Sequence, residues 1–418
     1  MIFLSSESVS EGHPDKICDQ ISDSVLDFCL SIDQKAHVAC EVFCCRKVIV
    51  VGGEISFSSK ELEKKVNLTD DIVQIVKNVL EKIYLKNQEI DYGINFSEIK
   101  IINLISKQSK EIKKSVDSSI DDKNSLGAGD QGMCYGYAVN KPDANYLPEP
   151  YFLAQKLIWM ATQFRKNFYP DKIFPDMKCQ ISGDFDVQKK FITKVIVLSC
   201  QHAKNFPLLD LRTLLNKEVI QKFIQKYQYL SSFSDKLEIK INSAGNFHYG
   251  GFVADTGLTG RKLAVDTYGS WGKIGGGALS GKDLTKVDRS GAYFARYIAK
   301  NLICLGIADE CEVQLAFSIG ISKPVAYYLN FTNLNFEKFK QYNIYQKNLT
   351  AEELTKIVFS VFDCRVSSII NLLSSEKISY NKTATYGHFT APDYPWEKAD
   401  MVDILKNKII GWYAERNN

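Results

Sequence analysis

Glu11-Gly12-His13-Pro14-Asp15-Lys16 sets a histidine, a carboxylate and a lysine around a proline that opens a helix. Free N–H groups at such a helix start attract anions, and Asp15 adds a hard oxygen suited to magnesium. Further along, Asp255-Thr256-Gly257-Leu258-Thr259-Gly260-Arg261-Lys262 places two adjacent cations after a Gly-x-x-Gly turn. The guanidinium can make paired hydrogen bonds to phosphate and the ammonium acts as a point charge. A third stretch joins Gly275-Gly276-Gly277 to Lys282, Asp283, Lys286, Asp288 and Arg289, cations again alternating with carboxylates. Alternating signs suit a metal–polyphosphate complex, because lysine neutralises phosphate oxygens while aspartate holds the metal. A solvated mixed-charge surface has the same pattern, so charge alone does not separate the two.

Two glycine patterns are misleading. Gly276-Gly277-Ala278-Leu279-Ser280-Gly281-Lys282-Asp283 follows the phosphate-binding loop up to its last position, where Asp283 stands in place of the Ser/Thr that holds magnesium. Gly127-Ala128-Gly129-Asp130-Gln131-Gly132 matches a dinucleotide fingerprint, but a polar stretch precedes it and a strand follows, the reverse of the required strand–turn–helix context.

The elements that must position these residues are legible in outline. Ile17, Ile21, Val25 and Phe28 recur at helical spacing after Pro14, predicting a helix over 15–30. Strands are expected at 36–45, 47–55, 99–105, 133–139, 178–185, 191–201, 236–241, 310–321 and 325–331, and helices at 71–84, 150–168, 208–227, 288–305, 351–362 and 396–412. Hairpin-like strand pairs mix with helices without strict alternation, which favours an α+β fold over a doubly wound sheet. Residues 107–130 read as a long polar loop, and 12 of the 25 glycines fall within 245–291, where backbone must approach something closely. No tandem repeat or linker is visible.

At 418 residues the chain is long enough for two or three domains, and its net charge of only +3 gives no global field toward nucleic acid or an anionic membrane. Eleven cysteines, with no Cys-x-x-Cys, read as reduced core residues. No apolar run is long enough to cross a membrane, and the Met1-Ile2-Phe3-Leu4-Ser5-Ser6-Glu7 start leaves no room for a leader, so a cytoplasmic location is expected.

Taken together, Ser6 through Lys16, Val51-Gly52-Gly53-Glu54, Gly127 through Gly132, Gly257 through Lys262, Val265 through Gly269, Gly275 through Ser290 and Tyr386-Gly387-His388-Phe389 resemble, in order, the motifs of the S-adenosylmethionine synthetase family. The resemblance implies three similar α/β-sandwich-type domains in a pseudo-threefold arrangement, at 1–110, 124–248 and 249–405. It also implies sulfur attack on the ribose C5′ of ATP by methionine, then hydrolysis of the triphosphate, at sites between two subunits of a homodimer or dimer of dimers. Two magnesium ions per site and potassium are implied as well. Carried onto this chain, His13, Lys178, Lys262, Lys282 and Lys286 would hold the triphosphate with help from Arg261. Asp15 and Asp288 would hold magnesium and Glu41 potassium; Asp176, Phe247, Asp255 and Asp130 would contact adenosine and methionine, joined by Glu54, Gln108, Lys286 and Ile319 around the amino acid. Lys107-Gln108-Ser109 opens the stretch that matches the family's gate loop.

Phe174, Ile274, Phe252 and Leu279 depart from the family's usual arginine, histidine, proline and phenylalanine. Phe174, Ile274 and Phe252 motivate one alternative, a catalytically impaired member acting as a binding subunit. A second alternative, an ATP-dependent phosphotransferase using the 276–282 loop, would form ADP; Asp283 argues against it. His37, His202 and His248 read as structural.

Overall fold

The computed structural model describes residues 4–85, 90–108, 119–123, 125–187, 189–341 and 350–417. The expected polar loop at 107–130 is therefore covered in part; its residues 109–118 and 124, Ser109 included, lie outside the described residues.

Among the described residues eleven strands form three sheets. They are β1 (Leu4–Val9), β2 (His37–Cys45), β3 (Val48–Ser56), β4 (Lys100–Lys107), β5 (Gly132–Val139), β6 (Ile173–Phe185), β7 (Phe191–His202), β8 (Ser232–Ile241), β9 (Gly257–Leu258), β10 (Ala308–Phe317) and β11 (Ala326–Leu334). The helices used below are α1 (Pro14–Ile32), α2 (Leu68–Ile83), α3 (Glu149–Phe168), α4 (Leu208–Leu215, prolonged by a π-helical turn at Asn216–Ile220) and α5 (Val287–Cys304).

The element order repeats. A helix, an antiparallel hairpin, a second helix and a strand parallel to the hairpin's second arm run α1-β2-β3-α2-β4, then α3-β6-β7-α4-β8. The third unit, α5-β10-β11, keeps the helix and hairpin. Each sheet then gains an antiparallel strand from a distant part of the chain: β9 beside β2, β1 beside β6 and β5 beside β10. The donation is cyclic, since the strand leading each unit joins the sheet of the next and the last returns to the first. This interlocking explains why the three sheets share one buried interior, reaching from Ile17 and Val25 of α1 through Leu153 of α3 to Ile298 of α5.

No repeat was visible in the sequence because the units share a polarity pattern and an element order, not residues. β1 was not expected either. Its Ser5, Ser6 and Ser8 are polar, but Ser8 is buried and donates to the Gln155 side chain (2.7 Å), so pairing with β6 and not hydrophobicity makes it a strand. The helix expected over 396–412 begins only at Val402. Ahead of it Trp396 is fully buried with its indole N–H on the His388 carbonyl (3.0 Å), which holds residues 395–397 in a short 3₁₀ turn.

Candidate active site

The turn from β1 into α1 is pinned against β6. Ser10 donates to the Pro175 carbonyl (2.5 Å), and a side chain at Gly12 would collide with Pro175 at 2.4 Å, so only glycine fits this crossing. The crossing delivers His13 to the N-cap of α1, next to Asp176 and Lys178 on β6. His13 Nδ1 accepts the Asp15 backbone N–H (3.2 Å), which leaves Nε2 as the protonated nitrogen. Burial, with Lys262 and Lys178 beside the ring, pushes the His13 pKa down to about 3, so the imidazole is neutral and a hydrogen-bond donor through Nε2.

Lys262 reaches the same place. Its ammonium lies 2.5 Å from Asp15 Oδ2, while Asp15 Oδ1 accepts the Leu258 N–H (3.0 Å) and stands 3.9 Å from Arg261 Nε. Burial works to raise the Asp15 carboxyl, but the bonds from Lys262 and Leu258 outweigh it and hold the group below its ordinary value. On the other flank Asp176 is buried and accepts the Gly251 N–H (2.7 Å); burial pushes its pKa up to about 6, with Asp255 adding to the rise and Lys178 opposing it. The carbonyl of Phe247 in the neighbouring segment receives the His202 N–H (2.9 Å). His13, Asp15, Lys178, Asp176, Asp255, Arg261 and Lys262 thus lie in one neighbourhood.

His13 and Asp176 respond to acid in opposite ways. Between pH 6.5 and about 3 the unfolded chain protonates His13 and the folded chain does not, so stability falls as pH drops through that window. Between 3.8 and about 6 the folded chain holds the extra proton on Asp176, so that contribution is lost as pH rises. His13→Asn is therefore expected to lose less Tm between pH 7 and pH 5 than the unaltered protein, and Asp176→Asn to lose more, as measured by melting curves across pH.

Lys282, Lys286 and Asp288 form a second cluster. Lys282 is 2.6 Å from Asp288 and Lys286 is 2.9 Å from Asp283. The Asp288 carboxylate sits between Gly277 and Gly132, where a Cβ would come within 2.1 Å and 2.9 Å of its oxygens. Lys282 bridges Ala39 of β2, and Glu54 of β3 is Ala39's partner in the next strand. Glu41 is exposed two residues further along β2, and Gln108 accepts the Ser56 hydroxyl (3.2 Å). Exposed Ile319 bridges Ala128, two residues before exposed Asp130.

The two clusters do not coincide within one chain. Gly257 and Leu258 pair with Cys44 and Phe43, whereas Lys282 bridges Ala39. Four to five residues of β2 separate them, about 13–17 Å at ~3.3 Å per residue.

Asp283, the departure from the phosphate-loop pattern, is structural. Buried, it accepts the backbone N–H groups of Val38 (2.7 Å) and Thr285 (2.8 Å) besides pairing with Lys286. Asp283→Ser, which completes that pattern on paper, is expected to cost about 2–4 kcal/mol of stability. It should form no ADP, as read by melting and nucleotide analysis.

Three of the other departures, Phe174, Phe252 and Leu279, are buried, and Ile274 is exposed. Phe174 packs on Tyr92 with ring centres 4.9 Å apart, Phe252 is fully buried, and Leu279 and exposed Ile274 line a small cavity beside Asp288. His388 is buried, its Nδ1 2.7 Å from the Tyr293 hydroxyl, and His202 is buried as well. Sequence reading missed Asp19 and Asp23, two buried carboxylates on α1 that hold the lysine-bearing loops; their partners lie 241 and 258 residues away.

Comparison with known proteins adds independent weight. The chain matches the profiles "S-adenosylmethionine synthetase, N-terminal domain" over residues 1–110, "central domain" over 125–247 and "C-terminal domain" over 249–398. It is 40% identical over 407 residues to the S-adenosylmethionine synthase of Borreliella afzelii, covering 97% of each chain. To that of Mycoplasma capricolum it is 40% identical over 404 residues, covering 97% of this chain and 96% of the relative. Among solved structures it is similar to an S-adenosylmethionine synthetase from Campylobacter jejuni, with a TM-score of 0.83, 30% identity, and coverage of 98% of this chain and 100% of that one. With all three domains matched in order and relatives 40% identical over nearly the whole chain, the chain belongs to the S-adenosylmethionine synthetase family.

Proposed function

We propose that the chain is a methionine adenosyltransferase that converts ATP, L-methionine and water to S-adenosyl-L-methionine, phosphate and diphosphate. The observation that carries this reading is the neutral, Nε2-protonated His13 held among Lys178, Lys262 and Asp15. Thioether sulfur is already nucleophilic and has no proton to lose, so the attack on C5′ needs no general base. The barrier falls through alignment and through stabilisation of the departing triphosphate. His13 Nε2–H donates to the leaving oxygen, Lys178, Lys262 and Arg261 hold the polyphosphate, and Asp176, Asp255 and Phe247 orient the nucleoside. Lys282 and Lys286 act on the tail from the second cluster, while Glu54, Gln108, Asp130 and Ile319 surround methionine.

The separation of the two clusters supports active sites between subunits. Each chain lends its first cluster to one site and its second to the other, in a homodimer or dimer of dimers. Among the described residues no three His, Cys, Asp or Glu side chains converge as a closed metal cage. Magnesium, however, takes only one or two carboxylates when substrate phosphates supply other ligands. Asp15 and Asp288, each already facing a lysine ammonium, fit that role for two ions. Magnesium held there by Asp15 and Asp288 would supply charge neutralisation on the polyphosphate and Lewis-acid help to its hydrolysis. Glu41 offers one exposed carboxylate for potassium, an assignment that rests on the family resemblance.

Domains at 1–110, 124–248 and 249–405 fit the repeated element order. A cytoplasmic setting fits the eleven free thiols; no described helix is long and apolar enough to cross a membrane.

Incubation of the purified protein with ATP, methionine, magnesium and potassium, followed by mass spectrometry, tests the proposal. S-Adenosylmethionine with phosphate and diphosphate is expected; ADP, or triphosphate cleavage without sulfonium, would refute it.

A further inference from the structure

Helix α1 carries Asp15, Asp19, Asp23 and Asp27, one aspartate every four residues. At 3.6 residues per turn they form a slowly drifting stripe along one side of the helix, with Asp15 and Asp23 about 12 Å apart. None of the four is solvent-exposed, and each accepts backbone N–H groups from another part of the chain. Asp15 takes Leu258 (3.0 Å), Asp19 takes Gly260 (2.8 Å), Asp23 takes Gly281 (2.8 Å), and Asp27 takes Tyr380 (2.7 Å) and Asn381 (3.0 Å). Leu258 and Gly260 precede Arg261 and Lys262, and Gly281 precedes Lys282.

Three of the carboxylates are further fixed by cations: Asp15 by Lys262, Asp19 by Lys16 (2.8 Å) and Asp23 by Arg289 (2.6 Å). Arg289 also donates to the Lys282 carbonyl (3.2 Å), so the Asp23–Arg289 pair grips the 281–282 segment from both sides. Ser22 adds a hydroxyl contact to Thr259 (2.6 Å).

We infer that this aspartate stripe sets the spacing of the two phosphate-handling loops, with Asp19 a positioning residue for Lys262 and Asp23 a positioning residue for Lys282. The inference rests on the adenosyltransferase reading. Asp27 docks a turn that carries neither lysine but touches Arg289 through Tyr380 and Thr383, so it serves as the internal control for the Asp19–Lys262 arm.

The test is a crossed mutant cycle on the full-length protein, with kcat and the KM for methionine read by product mass spectrometry. Asp19→Ala leaves Lys16 its second partner, Asp266 (2.5 Å). It is expected to lower kcat about 10-fold with KM unchanged, since small misplacements of catalytic groups act on rate. The loss should vanish in a Lys262→Met background and persist in Lys282→Met. Asp19→Asn, which keeps an acceptor for Gly260, is expected to recover kcat to within about 3-fold of wild type. Asp23 is tested as Asp23→Ala with Arg289→Met, which avoids a lone buried charge; its loss should vanish in Lys282→Met and persist in Lys262→Met.

Asp27→Ala is expected to lower Tm with amide exchange over 257–262 unaltered. Amide exchange should rise only over 257–262 in the Asp19 variant, which also reads the effect in the less disruptive Asp19→Asn should Asp19→Ala not fold. Effects that persist in every background, vanish in every background, or appear equally in Asp27→Ala would overturn the inference. If wild-type protein formed no S-adenosylmethionine, the underlying reading would fail instead.

Discussion

Lys178→Ala is expected to lower the rate of S-adenosylmethionine formation by about 10²–10³-fold, the usual cost of removing one preorganised group that stabilises a developing charge, and to leave Tm almost unmoved. The separation of activity from stability follows from where Lys178 sits. Its backbone is fixed opposite Val9 in the β1–β6 pairing, yet its side chain is exposed and its ammonium makes no salt bridge or hydrogen bond among the described residues. It packs nothing, but it is close enough to influence both His13 and Asp176. The loss should fall on kcat, because the charge it meets grows as the triphosphate leaves. Lys178→Arg, which keeps the charge on a longer, planar group, is expected to recover only part of the rate. Steady-state kinetics with a melting curve on each variant decide the matter, and an unaltered kcat in Lys178→Ala would remove this residue from the site.

A comparable loss, about 10²-fold, is expected from Gly277→Ala, although the added group is a single methyl. Its Cβ would lie 2.1 Å from Asp288 Oδ2 and 2.2 Å from Cγ, so the carboxylate must leave its seat and with it the 2.6 Å contact to Lys282. The displaced atoms are the end of a side chain and not backbone, so Tm should stay within a few degrees of wild type. Gly132→Ala, with a milder approach of 2.9 Å to Asp288 Oδ1, is expected to have the smaller effect. If Asp288 holds magnesium as proposed, Gly277→Ala also raises the magnesium concentration needed for half-maximal rate. A variant with normal rate and normal magnesium dependence would exclude that role.

These variants also bear on the alternative of an impaired relative. The departures behind it occupy the core beside Tyr92 and line the cavity near Asp288; apart from the arginine that Phe174 replaces, the cations and carboxylates assigned around His13 are present.

The N-terminal half of the site was legible from one dimension because its parts are local. Pro14 starts α1, His13 caps it and Asp15 lies in its first turn, so residue order alone dictates that these groups share one helix end. Residue types within the glycine-rich loops raised Arg261, Lys262 and Lys282 as candidate phosphate contacts and Asp288 as a candidate magnesium ligand, with the family resemblance making the assignment, and helical spacing predicted α1, α3 and α5 to within a residue or two. What only the tertiary structure decided is which distant groups meet. Gly12 is required by Pro175, Gly277 by Asp288, and Asp23 by Arg289, 266 positions away. The cyclic exchange of β1, β5 and β9 was equally invisible, because backbone hydrogen bonds between strands carry no signature in the residues that make them. Sequence thus determined the chemistry available to this protein, and long-range packing around α1 determined the distances at which that chemistry is held.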